Sequence, residues 1–133
     1  MSFKLRIITP YGVFFEGDVD SLNVGTSSGY LTILPNHIPL VTPLQINEMS
    51  YKTNKEVRVC ALAGGIMYVG PTETKIIANA CEYREDIDID RALEAKERAE
   101  RRLASKSQDI DVRRAEVALK RALNRIEIFN NRG

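Results

Sequence analysis

Phe3, Leu5 and Ile7 alternate with Lys4 and Arg6, the two-residue period of a strand with one buried face. Apolar runs follow at Val13–Phe15, Val19–Val24 and Tyr30–Leu34. Further strands are predicted over Leu44–Lys52, Glu56–Ala63, Ile66–Val69 and Thr74–Ala80. Turn signals stand between them: Thr9-Pro10-Tyr11-Gly12, Gly17, Gly25, Thr26-Ser27-Ser28-Gly29, and Pro35-Asn36-His37-Ile38-Pro39. Short strands separated in this way predict a flattened antiparallel β-sandwich or barrel.

From Cys81 onward the period changes. Ala92, Ala95, Ala99 and Leu103 step by three or four, as do Ala115, Ala118, Ala122 and Ile126, the second stripe widened by Leu119 and Leu123. Asp86-Ile87-Asp88 offers carboxylates to cap the first helix, and Asp109 or Asp111 the second. Ser105-Lys106-Ser107-Gln108 loses the stripe and reads as the connection, so the two helices are expected to form an antiparallel hairpin. Alanine faces approach closely but bury little area, so the hairpin is expected to be marginal by itself and able to open.

Proline and glycine usage sharpens the division. All five prolines, and every glycine except Gly133, precede residue 72. The chain is therefore read as α+β in two parts, a β-sandwich domain over residues 1–84 and a helical hairpin arm over residues 85–133.

Net charge is +1, so no overall field draws in nucleic acid or an anionic membrane. Residues 81–133 hold 13 of the 19 basic and 12 of the 18 acidic residues, a balance typical of solvated helix faces. No apolar run approaches the roughly 20 residues that span a bilayer, and the N-terminus shows no signal-peptide pattern. Cys60 and Cys81 have only His37 as a companion ligand type, so a metal or redox site is not expected. They read as reduced thiols packed as small hydrophobes in a cytosolic protein. One histidine and no paired catalytic constellation argue against an enzyme.

Most charges on the arm have an acid or base at helical reach: Glu94 and Arg98, Glu97 and Arg101, Glu116 and Lys120, with Arg91 between Asp88 and Glu94. Arg121 and Arg125 have no acid three or four residues away on either side. Three readings stand open from spacing: an anion with several negative charges, an acidic protein surface, or cations complementing the end of a helix. If the hairpin turns near residue 108, facing residues have numbers adding to about 216. Arg91 then lies opposite Arg125, and Arg98 near Arg121.

With these residues in hand, the chain resembles the epsilon subunit of bacterial F-type ATP synthase over essentially its full length. The resemblance is carried by Ile8-Thr9-Pro10 with Gly12, by Gly29 through Leu40, by Gly64-Gly65-Ile66, by Ile87-Asp88 through Arg91-Ala92, and by Arg114 through Ala122. It implies a non-catalytic central-stalk rotor subunit, with the sandwich between the gamma subunit and the membrane c-ring. The arm would either fold down or extend towards an acidic segment of the catalytic beta subunits, inhibiting ATP hydrolysis when extended. The setting it implies is the cytoplasmic face of the bacterial membrane, held peripherally and without direct insertion.

The resemblance also implies a regulatory ATP site. Ile87, Asp88, Arg91 and Ala92 match the family's Ile-Asp-x-x-Arg-Ala pattern, and Glu82, Arg98, Arg121 and Arg125 match its remaining ATP contacts. Glu82, Ile87 and Asp88 would hold the adenosine side and the arginines the phosphates. No Walker-type glycine loop accompanies them, so hydrolysis at this site is not expected. Arg113, Arg114 and Lys120, with Arg121 and Arg125, would meet acidic partners in the extended arm.

The loop Gly29-Tyr30-Leu31-Thr32 departs from the family's Gly-Glu-Leu-Gly, so Tyr30 stands in place of the glutamate associated with c-ring contact. Tyr30, Leu31 and His37 are interface candidates by position. For Tyr30 and Leu31 a place in the core stands equally open, as does a loop-fixing role for His37. A free-standing ATP sensor with no rotor is the rival reading. An RNA-binding arm is disfavoured by balanced charge and the absence of a clustered aromatic surface.

Overall fold

The computed structural model describes residues 1–105 and 111–131. Lys106, Ser107 and Gln108 of the expected connection, and the candidate cap Asp109, lie outside the described residues. Contacts divide the chain into two units, Met1–Tyr83 and Arg84–Gly133.

The first unit is an eight-stranded β-sandwich: β1 (Phe3–Thr9), β2 (Gly12–Val19), β3 (Ser21–Thr26), β4 (Gly29–Ile33), β5 (Leu40–Thr53), β6 (Glu56–Val69), β7 (Glu73–Ala78) and β8 (Cys81–Tyr83). Strands pair in the order β2-β1-β7-β6-β5-β3-β4, with β8 also on β6. The sheet does not close, because β2 and β4 end the path unpaired to each other among the described residues. All pairs are antiparallel except β1 with β7, which run parallel, Leu5 opposite Thr74 and Ile7 opposite Ile76. A purely antiparallel sheet was the expectation. The parallel pair arises because β1 and β7 meet only after the chain has passed through five other strands.

Two long strands depart from the expected boundaries. β5 begins at Leu40, before Pro43. This stretch pairs only with β6, since β3 meets β5 at residues 50–52, so the missing Pro43 N–H removes no bond on the free side. β6 runs through Gly64 and Gly65, where a break was expected. Their φ angles of 87° and 154° bend the strand without ending it. Residues 65–69 then pair with β7 and residues 60–62 with β8, so one strand serves both. Gly17 likewise sits inside β2, and the break falls at Asp20. Cys81–Tyr83, expected within the sandwich domain but given no strand of its own, forms a short one.

Leu5, Ile7, Leu22, Val24, Ile33, Met49, Leu62, Met67 and Ile76 fill the space between the layers, with Tyr51 and Cys60 among them. Each such side chain contributes about 1.5–3 kcal/mol of burial. Cys60 is buried, Cys81 half-buried, and both are free thiols. A bulge between Ile7 and Ile8 leaves Phe14 as the extra residue of β2. Consecutive rings thereby reach inward: Phe15 lies 4.4 Å from Tyr51 and Phe14 4.6 Å from Tyr83, ring centre to ring centre.

The second unit opens with a 3-10 turn at Arg84–Asp86, followed by α1 (Ile89–Ala104) and α2 (Val112–Asn130). Asp88 caps α1 and Asp111 caps α2, each accepting from the backbone N–H three residues on, at 3.2 Å and 3.1 Å. The helices pack on one another. Arg84, just before α1, donates to the carbonyl of Asn131 at the end of α2, so the two run antiparallel. Ala92, Ala99, Ala115 and Ala122 are buried, and Leu103, Leu119 and Ile126 are half-buried. Ala118 and Leu123, expected in the buried stripe, are exposed. At 100° per residue they fall about 60° and 80° either side of Ala115, beyond a seam that faces one neighbouring helix.

Candidate functional site

The first turn of α1 gathers four of the sequence-selected residues. Ile87 is buried and Asp88 is the N-cap. Asp88 Oδ1 accepts from the Arg91 N–H, and the Asp88 carbonyl from the Ala92 N–H at 3.0 Å. Asp88 thus has a structural task that any ligand would share. The Arg91 side chain projects from this turn into solvent, and Ala92 is fully buried beneath it.

The Arg84–Asn131 hydrogen bond closes the open end of the hairpin. Its residue numbers add to 215, near the 216 that would set Arg91 opposite Arg125 and Arg98 near Arg121. Arg121 and Arg125 are one turn apart on α2, and Arg98 lies two turns beyond Arg91 on α1.

Arg91, Arg98 and Arg121 are exposed and Arg125 is half-buried. The helical pairs Glu94–Arg98, Glu97–Arg101 and Glu116–Lys120 do not close to ion-pair distance. Three ion pairs lie on the sandwich, where Lys4 and Arg6 meet Glu16, and Arg6 meets Glu73, at 3.3–3.8 Å. Exposed i,i+4 pairs gain only about 0.3–0.5 kcal/mol, too little to fix two long side chains. The guanidinium groups of Arg91, Arg98 and Arg121 therefore have no ion pair among the described residues.

Arg113, Arg114 and Lys120 are exposed on α2. Arg113 and Lys120 share one stripe, being seven residues apart, and Arg114 shares the neighbouring stripe with Arg121. Glu82 lies on β8 in the first unit, opposite Ala61. Tyr30 is 61% exposed, and its hydroxyl donates to Asn47 Oδ1 at 2.8 Å. Leu31 packs half-buried against the core. His37 Nδ1 donates to the Ile38 carbonyl at 2.7 Å, a bond that steadies its own loop.

Sequence reasoning passed over the surroundings of Tyr83. Its hydroxyl lies 2.7 Å from that of Tyr51, and the Arg58 guanidinium sits 4.1 Å above its ring. Burial pushes both phenols above their ordinary range, Tyr51 further because its bond to Tyr83 adds to the effect. Tyr83 ends a three-residue strand too short for any period to reveal. Among the described residues no three His, Cys, Asp or Glu side chains gather as metal ligands, and no helix is long and apolar enough to cross a membrane.

Two family descriptions cover the chain. Residues 2–84 match the beta-sandwich domain of the ATP synthase Delta/Epsilon chain, and residues 85–130 its long alpha-helix domain. The ATP synthase epsilon chain of Bacillus velezensis is 44% identical over 128 residues, spanning 96% of this chain and 97% of that one. The ATP synthase epsilon chain of Halalkalibacterium halodurans is 46% identical, spanning 96% of each. Among solved structures, a chain of the Euglena gracilis mitochondrial ATP synthase (OSCP/F1/c-ring) superposes with a TM-score of 0.77 at 18% identity, covering 90% of this chain and 76% of its own.

Proposed function

The chain belongs to the ATP synthase epsilon chains, non-catalytic subunits of that complex, and from this premise we propose that its hairpin is an ATP-responsive regulatory arm. The observation that supports the reading is the antiparallel hairpin, closed by Arg84 on Asn131, with Arg91, Arg98 and Arg121 exposed and without ion pairs among the described residues. Several guanidinium groups spaced along one hairpin suit the oxygens of a polyphosphate. Asp88, Ile87 and Ala92 would frame the other end of the nucleotide, and Glu82 joins them by family resemblance.

A ligand that binds only the closed hairpin stabilises it by mass action. ATP at ten times its Kd adds about 1.4 kcal/mol. High ATP keeps the arm closed. Low ATP releases it, and Arg113, Arg114 and Lys120 become available to an acidic segment of the catalytic beta subunits, where the extended arm inhibits ATP hydrolysis. The sandwich docks the chain on the gamma subunit and the c-ring as part of the rotor, at the cytoplasmic face of the membrane. Exposed Tyr30, with Leu31 and His37, contributes to that contact.

The test is a calorimetric titration of ATP into the full chain beside an Arg121→Ala/Arg125→Ala variant. One-to-one binding lost in the variant is the expected result. Absence of binding to wild type at millimolar ATP sinks the sensor and leaves the rotor subunit standing. Failure to co-purify with membrane-bound ATP synthase would favour a free-standing sensor.

A further inference from the structure

Two consecutive residues are held by different units. The ring of Tyr83 lies 4.6 Å from that of Phe14 and has the Arg58 guanidinium 4.1 Å over it, and its hydroxyl meets Tyr51. These partners belong to the first unit. The next residue, Arg84, belongs to the second. Its Nη1 donates to the Asn131 carbonyl at 3.3 Å, and its own carbonyl accepts from the Ile87 N–H at 3.3 Å. The last turn of α2 carries no basic residue, whereas the last turn of α1 has Arg101 and Arg102. A helix C-terminus exposes unpaired carbonyls and partial negative charge, which a cation satisfies. Arg84 brings a cation, across 47 residues of sequence, to the end of a helix whose last turn carries none.

We propose that Arg84 is the latch of the hairpin: its bond to the end of α2 holds the two helices together. The regulatory consequence rests on the opening arm proposed above. Arg84 is a positioning residue and touches no nucleotide. It acts by setting how often α2 leaves α1, and so the fraction of chains able to take up ATP. The latch must break before α2 separates, because it joins the two free ends of the hairpin.

Amide hydrogen exchange on the full chain without nucleotide tests this. Comparing wild type, Arg84→Gln and Arg84→Lys, loss of one charge-assisted hydrogen bond should speed exchange of the α1 and α2 amides about fivefold in Arg84→Gln. The β5 and β6 amides should be unchanged and report that the variant is folded. Arg84→Lys returns the cation and should restore at least half of the lost protection. Unchanged α2 exchange in Arg84→Gln, or an equal rise in sheet and arm, overturns the latch. Lysine behaving as glutamine overturns the charge argument behind it. No ATP is present, so a chain that never binds nucleotide still reports on the latch. Failure of the calorimetric titration with the latch intact removes the sensor alone.

Discussion

The hydroxyl oxygens of Tyr51 and Tyr83 lie 2.7 Å apart, joining the long strand β5 to the last strand before the arm. Burial holds both phenols above their ordinary value near 10, most of all Tyr51. The unfolded chain ionises its tyrosines near pH 10 while the folded chain keeps these two protonated. The contribution to stability is therefore complete below about pH 10 and is lost as pH rises above it. The urea midpoint is expected to fall as pH rises from about 10 upward, and Tyr51→Phe to weaken that fall while costing about 1 kcal/mol at neutral pH. Urea titrations of both chains across this range check it, and equal alkaline slopes would contradict the assignment.

Gly65 is where β6 cannot accept a side chain. Its φ is 154°, and a Cβ there would collide with the Ile77 carbonyl oxygen and lie 3.0 Å from Ala78 Cα, both backbone. Gly65→Ala should therefore cost about 3 kcal/mol or more, combining backbone strain and overpacking. Gly12→Ala also occupies a positive φ, 118°, but meets nothing within 4 Å, so it should cost less. Thermal melts of the two variants rank them. A Gly65→Ala chain as stable as Gly12→Ala would remove the steric account of the bend.

Where sequence reading succeeded, the cause was local. A carboxylate three residues before a free N–H caps a helix whatever surrounds it, so Asp88 and Asp111 were legible. The sandwich followed from alternation and turns. Gly64, Gly65 and Gly17 misled because glycine marks a backbone freedom that serves a bend as readily as a break. Cys81–Tyr83 gave no signal, since three residues have no period and their strand exists only because β6 lies alongside. Ala118 and Leu123 fit the helical period, yet burial depends on the width of the facing helix. Arg121 and Arg125 were singled out because no acid stands three or four residues from either in the sequence. Arg84 was not, because its acceptor is the backbone carbonyl of Asn131, which any residue would present.

The turn between β5 and β6 offers a stabilising change. Thr53 pairs with Glu56, leaving Asn54 and Lys55 as a two-residue loop with φ of 49° and 67°. Both positions of such a turn need positive φ, and Asn-Gly suits it best. A left-handed lysine costs about 1–2 kcal/mol, partly offset in a glycine variant by greater unfolded-state entropy. Lys55→Gly should gain about 0.5–1 kcal/mol, since Lys55 is exposed and its side chain has no packing to lose. Chemical denaturation of the full chain measures this directly, and a destabilised Lys55→Gly chain would show that the lysine conformation carries no strain.

The alanine seam should be the most sensitive part of the arm. Ala92 and Ala122 are 0% and 2% exposed, on helices that pack on one another. Ala122→Leu adds three carbons where no space is available, and overpacking of this kind costs about 1–3 kcal/mol. That penalty falls on the closed hairpin, because an open α2 leaves the new side chain in water. The effect should therefore divide by unit, with α1 and α2 amides exchanging faster while β5 and β6 amides hold their rates. If ATP binds only the closed form, its apparent affinity falls in proportion to the closed fraction, which Ala122→Leu lowers. Exchange rates and ATP titrations on the same variant must agree. A variant with a loosened hairpin and unchanged ATP affinity would detach nucleotide binding from hairpin closure.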